Sequence, residues 1–196
     1  MPLTLPSPAA PLSATPLALR LRHADTSAVA QVLGIAGFAL LMTLGAQVRV
    51  PLWEVPFTLQ TLAVYGAGLV LGARAGALSG LLYLAVGLFL PVFSAGEMGA
   101  AYLAGATGGY LVALPLVAFA VGAATERRTG IVASIVAGLV GVVVLFACGA
   151  MWLHAVAGHT SWGMTLARGV WPFLATDLLK VGAASALFAA AARGPR

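Results

Sequence analysis

Two ionisable residues lie three apart inside an apolar stretch: Asp177 and Lys180, in GVWPFLATDLLKVGAASALFAAAA at positions 169–192. A carboxylate accepts hydrogen bonds and an ammonium donates them. On a helix, positions i and i+3 share a face, about 4.5 Å apart along the axis. The pair can therefore neutralise itself or grip one polar ligand jointly. The stretch is also long enough to cross a hydrocarbon core about 30 Å thick, which needs roughly 20 apolar residues of helix. A charge at mid-membrane costs about 2.5–3.5 kcal/mol on the insertion scale. Two readings are open. One is a structural ion pair that fixes helix packing; the other is a solute site, the usual meaning of ionisable residues within a span.

Other chemistry is poorly served. Lys180 is the only lysine and no glycine precedes it, so the chain has no GxxxxGK[ST] loop and no P-loop route to nucleotide hydrolysis. No metal-ligand spacing appears, and the single Cys148 excludes an internal disulfide. A membrane-embedded hydrolase built from Glu97, His154 and Asp177 would lack nucleophile–base or HExxH spacing. Neither a catalytic residue nor a cofactor is expected.

The elements that must position the pair follow from composition. The chain has 196 residues, 61% hydrophobic and 8% charged, with mean hydropathy +1.03. A soluble domain carries about 25% charged residues, so this is an integral membrane protein. Apolar runs near 20 residues argue for helices, because barrel strands alternate over about 10. The fold class expected is an all-α membrane protein with six transmembrane helices in one bundle. The spans run at about 28–48, 58–73, 75–91, 104–124, 130–153 and 170–192. Residues 1–27 hold five of the eleven prolines and read as an irregular cytoplasmic tail, leaving 28–196 as the membrane domain. No charge precedes Arg20, which argues against a signal peptide.

Loop charges set orientation. Arg20, Arg22, Arg74, Arg127, Arg128, Arg193 and Arg196 fall on one side, Arg49 and Arg168 on the other. This positive-inside bias puts both termini in the cytoplasm of a multi-pass cell-membrane protein, with 49–57, 92–103 and 154–169 facing outward. Because the arginines sit at span ends, the net charge of +5 reads as topology and not as nucleic-acid binding. His154 and His159 are expected to be solvated in the last outer loop. Trp152, Trp162 and Trp171 suit an aromatic belt there. Small-residue pairs four apart, such as Gly68/Gly72 and Gly76/Gly80, fit packing inside the bundle or a docking face for a partner.

The first outer loop reads VRVPLWEVPFTLQT. Pro51 and Pro56 forbid helix there, and Trp53 and Phe57 suit either a lid over an apolar pocket or a membrane-surface anchor. Thr58 and Gln60 place hydrogen-bonding groups at the mouth of the second span.

Four blocks in order, VPFTLQTLAVYGAGLVLGARAGALSGLLYLAVG, LPVF, GATGGYL and PFLATDLLK, resemble the BioY family of biotin-binding S components of energy-coupling factor vitamin transporters. The likeness covers about residues 45–125 and 170–182. It implies six helices that bind biotin from outside, with energised uptake supplied by a transmembrane coupling subunit and ATPase subunits. The implied lid and mouth residues are Phe57, Thr58 and Gln60, and the implied polar contacts are Asp177 and Lys180. The resemblance also points to Tyr83 and, after LPVF, to Phe93 and Ser94. The GATGGYL block adds Thr107 and Tyr110. Family members often carry an asparagine in the loop after PVF. This chain has none anywhere, which leaves Ser94 or a backbone group to substitute. The other S-component readings, for thiamine or riboflavin, share the architecture but not the VPFTLQT and PFxxxDxxK pairing.

Overall fold

The computed structural model describes residues 21–22, 26–128 and 130–193. The expected proline-rich tail, 1–27, lies outside the described residues apart from Leu21, Arg22, Thr26 and Ser27. The fold is an all-α, multi-spanning bundle. Helix α1 (Ala28–Gln47) starts where the Ser27 hydroxyl accepts from the Ala30 amide at 3.3 Å, satisfying one of the free N–H groups of a helix start. A short antiparallel pair follows, β1 (Arg49–Val50) and β2 (Phe57–Thr58), with Val50 opposite Phe57. Next come α2 (Gln60–Gly87), a 3-10 turn (Ser94–Gly96), α3 (Gly99–Ala104) and α4 (Gly108–Ala124). The chain closes with α5 (Ile131–Val156), α6 (Trp162–Gly169) and α7 (Trp171–Ala192).

Four of these, α1, α2, α5 and α7, are long and apolar enough to cross a membrane; α4 is a shorter apolar helix. Helix α2 is not straight. Gly72 has φ +79°, ψ −175°, a conformation that side chains with a Cβ rarely adopt. A Cβ on Gly76 would lie 3.1 Å from the Ala67 carbonyl oxygen, so the chain doubles back and the arms 60–71 and 73–87 pack antiparallel. The spans expected at 58–73 and 75–91 meet at this turn. A Cβ on Gly68 would meet the Ala118 oxygen at 2.6 Å, so this glycine lets α2 and α4 touch backbone to backbone. The small-residue pairs of α2 thus serve packing within the bundle.

Two ends can be told apart. At one, the Arg22 guanidinium donates to the Gly122 carbonyl (3.2 Å) and the Thr125 hydroxyl (2.7 Å), over the Phe188 ring. At the other lie the β1–β2 hairpin, the 3-10 turn, α3 and α6. Between them runs the core, centred on Met42, Val64, Tyr65, Tyr83, Val117 and Val181. Leu33, Val132, Val143, Leu179 and Leu187 face outward, each more than 60% exposed. An apolar rim of this extent suits lipid and not water.

The expected spans differ from the helices chiefly in three places. The third span is expected to run to 91, but α2 ends at Gly87. The fourth was placed from 104, but the chain is extended at Gly105 and α4 begins at Gly108, leaving α3 as a separate short helix. Helix α6 lies in a stretch expected to be loop. Its eight residues start on Ser161, whose hydroxyl accepts from the Met164 amide.

Candidate functional site

Trp171 and Pro172 open α7, with Pro172 in the first turn, where its missing N–H costs nothing. Asp177 and Lys180 therefore lie about 9 and 14 Å along the helix, at 1.5 Å per residue, below the end that carries the hairpin. Both are buried, and Lys180 Nζ stands 3.3 Å from Asp177 Oδ2. A third residue completes the arrangement. The Thr61 hydroxyl donates to Asp177 Oδ1 at 2.6 Å and accepts from Lys180 Nζ at 2.9 Å. The Tyr65 hydroxyl donates to the same Oδ1 at 3.1 Å. Tyr65 is one helical turn beyond Thr61 in the first arm of α2, so one face of that arm serves the whole cluster. Every strong partner here is charge-assisted, which is how two buried charges become tolerable.

Above the cluster lies a chamber of about 60 Å³, lined by Val55, Phe57, Thr58, Gln60, Tyr110, Leu114, Phe173 and the two charges, among others. A vestibule of about 370 Å³ opens outside it, between the hairpin tip and the Ser94–Thr107 segment. Pro56 lines both and forms their shared wall. Small-molecule pockets usually measure about 300–1,000 Å³, and the chamber is smaller than that. The larger groove of about 500 Å³ between α1, α2 and α7 has only apolar lining, including Phe38, Leu41, Val70 and Phe188. It offers nothing to orient a polar ligand.

Of the residues singled out from sequence, Asp177, Lys180, Phe57, Thr58, Gln60 and Tyr110 meet in the chamber. Ser94 and Thr107 line the vestibule instead. Tyr83 and Phe93 line neither cavity; they pack edge to face behind the turn, and Phe93 stacks on Tyr102. Gln60 Nε2 in the chamber wall and Ser94 Oγ in the vestibule wall are two of the six buried polar side-chain atoms that have no hydrogen-bond partner among the described residues. Buried groups are normally paired, so both are suited to a ligand. The turn beside Ser94 is strained, with Ala95 at φ +70°, a feature that collects at functional sites.

Sequence reasoning missed Thr61, Tyr65, Glu54 and Gln47. The Gln47 amide donates to the Val92 and Phe93 carbonyls at 3.2 and 3.0 Å, tying the end of α1 to the LPVF turn. It also misjudged His159. The expected solvated histidine is 8% exposed, with Nδ1 3.1 Å from the Thr165 hydroxyl and Nε2 3.5 Å from Glu54 Oε1. Glu97, His154 and Asp177 fall in three different places: the vestibule wall, beside Trp162 and Thr165, and the chamber.

The BioY family model matches residues 17–195. The chain belongs to the BioY family. Among its relatives is "Probable biotin transporter BioY" of Pyrococcus horikoshii, 36% identical over 151 residues, 76% of this chain and 88% of that one. "Biotin transporter BioY" of Thermotoga maritima is 34% identical over 145 residues, 74% of this chain and 85% of its own. "Biotin transporter BioY" of Rhizobium etli is 40% identical over 144 residues, covering 68% and 75%. The fold is also that of a crystal structure described as the S-component for biotin from an ECF-type ABC transporter. The TM-score is 0.75 at 23% identity, with 88% of this chain and 96% of that one covered. The four BioY-like blocks thus sit in a chain that shares its fold with that structure over 88% of its length.

Proposed function

We propose that this protein captures biotin at the outer face of the cell membrane, as the substrate-specific component of an energy-coupling factor vitamin transporter. The observation that carries this is the buried Asp177–Thr61–Lys180 cluster under a closed hairpin, in a BioY chain. Biotin has an apolar body with a ureido group at one end and a carboxylate at the other. Asp177 accepts from the ureido N–H groups, and Lys180 donates to the ligand while balancing Asp177. Phe57, Thr58, Gln60 and Tyr110 enclose it. Ser94 and Thr107 meet the ligand's outer end as it passes the vestibule, and Tyr83 and Phe93 brace the turn that presents Ser94.

In this reading the two arms of α2 count as separate spans, giving six, and the arginine-rich end that holds Arg22 and Arg74 is cytoplasmic. Residues 28–196 form the membrane domain and 1–27 a cytoplasmic tail. The protein performs no chemistry on biotin. Energised transport belongs to a transmembrane coupling subunit and its ATPase subunits, which dock within the bilayer. Equilibrium binding of radiolabelled biotin to the purified protein, with thiamine and riboflavin as competitors, tests the reading. Saturable biotin binding resisted by neither competitor is expected. Absence of saturable biotin binding, or its displacement by thiamine or riboflavin, overturns it.

A further inference from the structure

The hairpin over the chamber is fastened at its tip by one side chain. Residues 51–56 join two strands of two residues each, a ladder too short to hold a flap by itself. Pro51 and Pro56 fix φ at both ends of the connection. Among the described residues, Glu54 makes the only hydrogen bond or ion pair between 51–56 and the rest of the protein. Its Oε1 accepts from Arg168 Nη1 at 2.6 Å and lies 3.5 Å from His159 Nε2.

The receiving side is tied together by side chains. The Thr165 hydroxyl lies within hydrogen-bond distance of both His159 Nδ1 (3.1 Å) and His154 Nδ1 (2.9 Å), and the His154 ring stacks on Trp162 at 4.1 Å. Neighbouring residues carry the contact inward. Val55, next to Glu54, lines the chamber. Gly169, next to Arg168, accepts from the Tyr110 hydroxyl at 2.8 Å, and Tyr110 lines the chamber opposite. Val55 and Tyr110 are thus each one residue or one hydrogen bond away from the Glu54–Arg168 pair.

We propose that Glu54, clamped between Arg168 and His159, is the latch of the lid, so that breaking this contact sets how fast ligand leaves the chamber. The proposal rests on reading the chamber as the biotin site. Glu54 lines the vestibule and not the chamber, and Arg168 and His159 line neither, so the three are positioning residues for the chamber.

The test uses the full-length protein with two readouts. The first is the dissociation rate of radiolabelled biotin. The second needs no ligand: the rate at which a small thiol reagent labels Leu111→Cys, inside the chamber, in a Cys148→Ala background. Glu54→Gln and Arg168→Gln should each speed biotin release about three- to tenfold, with association nearly unchanged, and speed labelling by a similar factor. The reversed pair Glu54→Arg/Arg168→Glu should bring both rates back to within about twofold of the parent. High salt should accelerate release in the parent and leave Glu54→Gln unmoved, since screening acts on a charge pair. Parental release and labelling in folded Glu54→Gln and Arg168→Gln overturn the latch, even if melting temperature falls, and leave the biotin site standing. If the parent binds no biotin, the functional reading fails instead, and labelling alone decides the latch.

Discussion

The Lys180 ammonium lies 4.5 Å from the centroid of the Phe57 ring. The bundle supplies the cation and the lid supplies its aromatic face, so lid closure and charge stabilisation are one event. A cation over a ring is worth about 0.5–1 kcal/mol when exposed and about 2 when desolvated. Phe57→Leu keeps the apolar cover and removes the ring. It should weaken biotin binding about 5- to 30-fold, while Phe57→Tyr stays near parental; equilibrium titration of the two purified variants measures this.

Thr61 connects charges that otherwise meet only through a 3.3 Å contact. Thr61→Val keeps the shape and deletes the hydroxyl. Hydrogen bonds to charged groups contribute about 1.5–3 kcal/mol, so biotin affinity should fall about 10- to 100-fold. Thr61→Ser should recover most of it. Equal affinity in the valine and serine variants would mean the hydroxyl is idle.

Removing one charge should hurt more than removing both. Asp177→Ala leaves Lys180 buried without its counter-ion, a penalty of about 3–5 kcal/mol, and should lower the melting temperature together with binding. The Asp177→Ala/Lys180→Ala double variant should melt closer to the parent yet bind no biotin. A well-folded double variant that binds at parental affinity would make the pair purely structural.

Orientation follows from which end of the bundle meets an impermeant thiol reagent. Single cysteines replace Ser161, at the exposed start of α6, or Ala124, at the end of α4 beside Thr125, in a Cys148→Ala background. Intact cells should show labelling at 161 and not at 124. The reverse pattern would invert the topology.

The latch makes lid closure depend on acid. Burial raises the Glu54 pKa, but a backbone hydrogen bond, the hydrogen bond and charge of Arg168 and the nearby His159 ring outweigh it, and the carboxyl is held below its ordinary value. A depressed group stabilises the closed lid fully above its ordinary pKa, about 4.3. That contribution is lost as pH falls through the depressed value. Arg168 and His159 face Glu54, and Arg49 and Glu97 line the same vestibule. Biotin release measured by filter assay should be flat from about pH 7 to 5 and faster below about pH 4. Glu54→Gln, already fast, should change little across that range.

The apolar runs and their glycine punctuation made the helices legible, even the reversal at Gly72, because bilayer-crossing helices advertise themselves in composition. Asp177 and Lys180 were legible for the opposite reason: charge inside such a run is conspicuous. Thr61 was not, since a threonine in an apolar helix carries no contrast, and only the fold shows which face it shares with Asp177. Glu54 and Arg168 stand 114 residues apart in outer segments. In sequence each reads as an ordinary loop charge. His159 was misjudged on the same ground, because burial in a loop depends on what packs over it, here the hairpin tip.

The reversal at Gly72 also bears on the lipid around the protein. Arms 60–71 and 73–87 reach only about 18 and 22 Å at 1.5 Å per residue, well short of a hydrocarbon core of about 30 Å. Leu78, Leu81 and Leu82 of the second arm face outward. In the proposed six-span arrangement the bilayer along this flank thins to meet them, at a cost of fractions of a kcal/mol per ångström of mismatch. That arrangement gives the protein a dent in the membrane, one that is cheapest where acyl chains are short. A neighbour with an equally short flank shares the dent and relieves part of its cost.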